Sequence, residues 1–206
     1  MASDPHIVVF DLGGVLIDWN PRHLYRQHFA EEAAMERFLS EVVSPAWNHR
    51  LDEGRAFGEA VAELIETHPE HAPLIRMYFD RWLEMIGGPI QPTVDVLERL
   101  HARGTPLWAI TNWSGETFPL VRDDPDYAFL GLFRDIYVSG DLRLAKPGEA
   151  IFRHALESMP AAAGACLFID DSAANVATAQ RLGMHAHRFT DAATLEADLQ
   201  RLGLLP

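Results

Sequence analysis

The sequence predicts an α/β protein built on an open, doubly wound parallel sheet, with an all-helical insertion after the first strand. Two observations carry this. Over most of the chain, short apolar runs bounded by Gly, Pro, Asn or Asp alternate with helical patterns, as βα units of a parallel sheet do. From about Asn20 to Ile86 the alternation stops and only helical periodicities remain. With 206 residues, 48% of them hydrophobic, the chain is long enough for one large domain or a domain carrying an insertion.

Taken in order, the apolar runs at residues 7–10, 107–110, 136–138 and 167–169 read as buried strands, with a fifth at 185–189. Helical punctuation separates the later ones. Pro92 opens a segment with Val94, Leu97 and Leu100 inward, and Gly104 closes it. Pro147 is expected to open the helix carrying Ile151, Phe152, Ala155, Leu156 and Met159. Ser172 is expected to cap residues 173–182, which Gly183 ends, and Thr190 or Asp191 to cap a last helix with Leu195, Leu199 and Leu202 inward. In the insertion, Phe38, Leu39, Val42 and Val43, then Phe57, Val61, Leu64 and Ile65, then Leu74, Tyr78 and Trp82 mark helical faces. The flanking stretches 18–21 and 87–92 read as loops or linkers.

A formal charge of −13 opposes binding to nucleic acid or an anionic membrane, both of which require a basic face. If the substrate is itself an anion, its attraction must come from a few local cations and a bound metal. Met1 to His6 has no basic leader, and the apolar run that follows is too short for a signal or a span, so a cytoplasmic location is expected. Cys166, the single cysteine, sits among apolar neighbours and reads as a buried, inert thiol.

Ligands of an open parallel sheet bind outside the carboxyl ends of its strands, so the residues just after each apolar run are the informative ones. They read Asp11-Leu12-Gly13-Gly14, Thr111-Asn112-Trp113-Ser114, the 139–146 segment ending in Lys146, and Asp170-Asp171-Ser172. Asp170 and Asp171 are adjacent carboxylates after a buried strand, a costly arrangement unless a cation lies between them and Asp11. Mg2+ suits such oxygen ligands. Lys146 is the only lysine in the chain.

Residues 11–16, Thr111-Asn112, Lys146-Pro147 and 168–175 together resemble the four motifs of the haloacid dehalogenase superfamily, and the resemblance runs through nearly the whole chain. It implies a Rossmann-like core of residues 1–18 and 88–206 and a small helical cap of residues 19–87. It also implies a Mg2+-dependent hydrolase of small phosphorylated metabolites, with sugar phosphates the best guess, acting through an aspartyl-phosphate. Asp11 would be the nucleophile. Thr111, Asn112 and Gly14 would hold the phosphoryl group, while Lys146 neutralises charge on both reacting partners. Asp11, the Gly13 carbonyl, Asp171 and Asp170 would hold the metal, Asp171 directly and Asp170 directly or through water. Asn175 could orient a ligand or water.

One departure matters. Phosphatases of this family usually carry a second Asp two residues after the nucleophile as general acid and base, and this chain has Gly13 there. A subgroup resembling sugar-1-phosphate phosphatases shares the glycine. Without a positioned acid, leaving-group protonation falls to water, the substrate or the cap, where His49 and Asp18 are the first residues to consider. The Trp47 to Arg55 segment, with its cations, aromatic and Gly54, could read the substrate or be a plain helix connection. Trp113 could line the pocket or pack against the cap. Two alternatives follow: a metal-independent 2-haloacid dehalogenase, which Asp170 and Asp171 disfavour, and a non-catalytic phosphometabolite-binding protein, which Gly13 would suit. The substrate and the oligomeric state are not legible at this level.

Overall fold

A computed structural model describes residues 4–206; Met1 to Ser3, part of the N-terminal stretch discussed above, lie outside the described residues. The chain begins with β1 (Ile7–Phe10) and turns back through β2 (Ile17–Trp19) into five helices: α1 (Arg22–Tyr25), α2 (Glu32–Arg37), α3 (Pro45–Asp52), α4 (Phe57–Thr67) and α5 (Ala72–Asp80). It returns through β3 (Ile86–Pro89) to α6 (Gln91–Ala102), β4 (Leu107–Thr111), α7 (Phe118–Arg122), β5 (Ile136–Val138) and α8 (Ser139–Leu142). The last elements are α9 (Glu149–Ser158), β6 (Cys166–Asp170), α10 (Ala173–Arg181), β7 (His185–Arg188) and α11 (Ala192–Arg201).

Five strands form one parallel sheet in the order β5-β4-β1-β6-β7, with Val8 in register with both Leu107 and Leu167. Every residue of β1, β4 and β6 is buried, which is why these strands read as unbroken apolar runs. Strand period does the sorting. Val8 and Phe10 face a cluster with Leu97, Leu100, Leu195 and Leu199, whereas Ile7 and Val9 face Ile151, Phe152 and Ala179 on the other side. Full burial of each such side chain contributes roughly 1.5–3 kcal/mol. The first cluster continues without a break through Leu12 and Leu16 into Tyr25, Phe38, Trp47 and Tyr78 of the helical insertion.

Three local expectations are corrected. The stretches read as linkers at 18–21 and 87–92 are partly strands: β2 and β3 pair antiparallel, Ile17 opposite Pro89 and Asp18 opposite Gly88. Strands this short, containing glycine and proline, leave no periodicity to read. Pro147 does not open α9, which begins at Glu149 behind Gly148; residues 145–148 instead form a turn closed by Gly148 N–H to the Ala145 carbonyl at 2.9 Å. Ser172 occupies the cap position of α10 without a side-chain bond, and its own N–H donates to Asp170 Oδ1 at 2.8 Å. At α11 it is Asp191 that caps, accepting from Thr194 N–H at 2.8 Å. Among the described residues no helix is long and apolar enough to cross a membrane. Cys166 is buried, and burial pushes its thiol up to about 11, in keeping with an inert side chain.

Candidate active site

Because β4, β1 and β6 are adjacent and parallel, their carboxyl ends place Thr111-Asn112, Asp11 and Asp170-Asp171 side by side. Carboxylate oxygens of Asp11, Asp170 and Asp171 all lie within 4.8 Å of one another. Lys146 reaches between two of them. Its Nζ is 2.9 Å from Asp11 Oδ1 and 2.7 Å from Asp170 Oδ2, and the side chain is fully buried. Burial opposes the lysine's charge, but Asp11 and Asp170 outweigh it and hold its pKa above the ordinary value.

Asp170 is saturated with donors. Oδ1 accepts from Ser172 N–H and Asn175 Nδ2, and Oδ2 accepts from Asn175 Nδ2 and Lys146 Nζ, all between 2.7 and 3.0 Å. Asn175 is therefore a buried residue that fixes Asp170. Asp11 is held by Leu12 N–H on Oδ1 at 2.7 Å. Burial pushes its carboxyl up to about 8, against the pull of Lys146 and with the charge of Asp170 reinforcing the rise. Burial and the charge of Asp170 likewise raise Asp171. Three carboxylates share one ammonium, so the cluster lacks positive charge, and its donors are hard oxygens of the kind Mg2+ takes.

The two glycines after Asp11 behave differently. Gly14 has φ +74, a conformation that favours glycine, and a Cβ there would lie 2.9 Å from Asp171 Oδ2. Gly13 lies outside the left-handed region, and a Cβ would meet nothing within 4 Å.

Thr111 and Asn112 part company. The Thr111 hydroxyl is buried and has no hydrogen-bond partner within the protein, so an oxyanion at the strand end would satisfy it. Asn112 is tied to the backbone of Lys146: Nδ2 donates to its carbonyl at 2.8 Å and Oδ1 accepts its N–H at 2.9 Å. That amide positions the lysine, a role its neighbour's motif did not suggest.

Above these residues a cavity is lined by Asp11, Gly13 and Asn112 below, Trp113, Ser114 and Thr117 to one side, and Trp19, Asn48, Asp52, Phe57 and Trp82 from the insertion and its ribbon. Its volume of about 140 Å³ is roughly ten times what one water needs, enough for a small organic group. Trp113 takes both roles considered for it, lining the cavity while packing on Trp82 at 5.5 Å and Phe118 at 5.8 Å. His49 and Asp18 do not line it: His49 lies 3.6 Å from Glu53, and Asp18 bonds His23 at 2.9 Å. Asn48 and Asp52 were missed individually within the 47–55 segment. Their i, i+4 spacing beside the buried Trp47–Leu51 pair was the available signal, since on a helix it makes a polar stripe bordering the core-facing one.

A carboxylate-centred site at the strand ends of a parallel sheet, roofed by inserted helices, defines a class of α/β hydrolases. Residues 5–183 match the model of the haloacid dehalogenase-like hydrolases, and the chain belongs to that family. It is 24% identical over 216 residues to a sesquiterpene phosphatase of Aspergillus oryzae, covering 98% of each chain. Among solved structures, a predicted HAD-like family hydrolase of Porphyromonas gingivalis is 26% identical with a TM-score of 0.73, over 97% of this chain and 99% of that one. A HAD family enzyme of Bacteroides thetaiotaomicron, solved as a magnesium complex, superposes with a TM-score of 0.70 at 19% identity, over 94% of this chain and 99% of that one.

Proposed function

We propose that this hydrolase is a Mg2+-dependent phosphatase of small phosphate monoesters, with residues 1–18 and 88–206 as its catalytic core and residues 19–87 as a cap. The observation that carries the reading is the convergence of Asp11, Asp170 and Asp171 within 4.8 Å around a single buried lysine. Asp11, Asp171 and the Gly13 carbonyl would hold the metal, with Asp170, its oxygens already committed, bound through water. When bound, Mg2+ supplies charge neutralisation for the phosphoryl oxygens.

The remaining steps belong to the chain's own groups. An Asp11 oxygen attacks phosphorus and forms an aspartyl-phosphate, which water then hydrolyses. Lys146 stays charged beside Asp11 and stabilises the negative charge gathered there. The unpartnered Thr111 hydroxyl donates to a phosphoryl oxygen, Gly14 lets the backbone come close, and Asn112 keeps Lys146 in place.

For the alcohol, the cavity wall argues for a carbon-rich group: Trp19, Phe57, Trp82 and Trp113 face it, and the Aspergillus relative is a sesquiterpene phosphatase. A sugar phosphate is the second reading, supported by Asn48, Ser114 and Thr117, whose polar groups could meet hydroxyls. The test is a panel of apolar alkyl, aryl and sugar phosphates with and without Mg2+. Phosphate release that needs the metal supports the reading. Absence of release from every ester, or full turnover in excess EDTA, overturns it.

A further inference from the structure

We propose that Asp52, entering the cavity from the carboxyl end of α3, is the proton donor and acceptor that glycine at position 13 leaves out. The inference rests on the phosphatase reading and deepens it. Asp52 is the carboxylate that the insertion contributes to the cavity containing Asp11 and Gly13.

Its placement is built in. Asn48 Nδ2 donates to Asp52 Oδ2 at 3.0 Å, and Tyr78 OH fixes that amide by donating to Asn48 Oδ1 at 2.8 Å. The main chain is latched to the core as well. Ser139 Oγ donates to the Asp52 carbonyl at 2.6 Å and accepts from Trp113 N–H at 2.9 Å. Two residues on, Gly54 has φ +91, and a Cβ there would lie 2.7 Å from the Gly140 carbonyl, so the turn sits directly on α8, the short helix after β5. Phe57 N–H then donates to Glu116 Oε1 at 2.8 Å. The segment is thus pinned to the loop after β4 and to α8 after β5, the same stretches of chain that supply Asn112 and lead to Lys146. From the segment's side the latch uses the Asp52 carbonyl and the Phe57 N–H, so holding the cap down does not require the Asp52 carboxylate.

The environment suits the role. Burial pushes the Asp52 carboxyl up to about 7, opposed by Lys146 and reinforced by Glu53, so both protonation states are available near neutrality. In the first step an Asp11 oxygen bonds to phosphorus, the bond from phosphorus to the alcohol oxygen breaks, and that oxygen takes the Asp52 proton. In the second, the Asp52 carboxylate takes a proton from water. The water oxygen bonds to phosphorus, the bond from phosphorus to Asp11 breaks, and inorganic phosphate leaves with both carboxyl groups restored.

The test compares Mg2+-loaded wild type, Asp52→Asn and Asp52→Glu on an alkyl phosphate and on 4-nitrophenyl phosphate. For Asp52→Asn, kcat on the alkyl ester should fall by about 100-fold to 10,000-fold with KM little changed. With the aryl ester, whose leaving group needs no proton, a burst of one equivalent of nitrophenolate should precede slow turnover as the aspartyl-phosphate accumulates. Asp52→Glu should recover part of the rate. Equal losses on both esters without a burst, or no loss on either, would overturn the assignment. Wild type that hydrolyses both esters and is silenced by Asp11→Asn, beside an unaffected Asp52→Asn, removes Asp52 alone. A wild type inert on both removes the phosphatase reading and this inference with it.

Discussion

The floor and the roof of the cavity are built on different principles. Floor residues stand at fixed offsets from buried strands: Asp11 follows β1, Thr111 ends β4, Asp170 ends β6 and Asp171 follows it. Their meeting is settled once the strand order β5-β4-β1-β6-β7 is settled. Roof residues have no such anchor. Asp52, Phe57 and Trp82 come from three separate segments of the insertion, and each is held to the core by its own contact: the Asp52 carbonyl by Ser139, the Phe57 N–H by Glu116, and the Trp82 ring against Trp113. Chemistry common to a family can rest on the floor, while on the reading proposed above the choice of alcohol and the proton would rest on the roof.

If the floor carries the reaction, its loss should be near total whatever the roof does. Asp11→Asn keeps the shape of the side chain and removes the nucleophile, so turnover should fall by roughly four to six orders of magnitude on every ester, with circular dichroism unchanged. Substantial activity in a pure preparation of that variant would displace Asp11 from the role. Excess EDTA should silence the wild type to a similar degree. Halide release from a 2-haloacid in EDTA would point instead to the dehalogenase reading.

Lys146→Ala comes next. Loss of its charge at the transferring group should lower kcat by about 100-fold to 1,000-fold. The same change leaves the buried Asp11 and Asp170 facing each other, so metal-free protein should lose about 3–5 kcal/mol in urea unfolding. An unchanged unfolding midpoint would show that the pair does not depend on the lysine. Asn112→Ala removes both bonds to the lysine's backbone and should cost about 1–3 kcal/mol, with a smaller loss of kcat than Lys146→Ala. Were kcat to fall further than in Lys146→Ala, Asn112 would have a direct contact with the phosphoryl group.

The sequence was legible where local pattern and chemistry coincide. Buried strands announced themselves as apolar runs, and after the runs at 7–10, 107–110 and 167–169 the next polar residues were the floor residues themselves. It was less legible where a side chain's partner lies far along the chain. Asn112 reads as a phosphate ligand until its 34-residue-distant bonds to Lys146 are seen. Asn175 reads as a residue to orient a ligand or water until Asp170 is found against it. The ribbon β2–β3 escaped because strands of three and four residues carry no period. Asp52 was hidden in part for the same reason as Asn112: its bond to Ser139 joins residues 87 apart in the chain.

The smallest expected effect on the fold gives the sharpest test of floor against roof. Gly14→Ala and Gly13→Asp are adjacent substitutions with opposite forecasts. At Gly14 the left-handed φ of +74 and the 2.9 Å approach to Asp171 should cost about 1–2 kcal/mol and weaken Mg2+ binding. At Gly13 the backbone is outside that region and the space is open, so an aspartate should shift stability by less than about 1 kcal/mol, a change in Tm of under roughly 4 °C. It would also place a second carboxyl on the floor, two residues after the nucleophile. With Asp52 as the donor, wild type should show a shallow dependence of rate on leaving-group pKa and Asp52→Asn a steep one. Gly13→Asp in the Asp52→Asn background should flatten it again, since the floor then supplies the proton the roof has lost. A slope that stays steep in the double variant, with Tm intact and chemistry limiting the rate, would mean that the cavity accepts a donor only from the cap side.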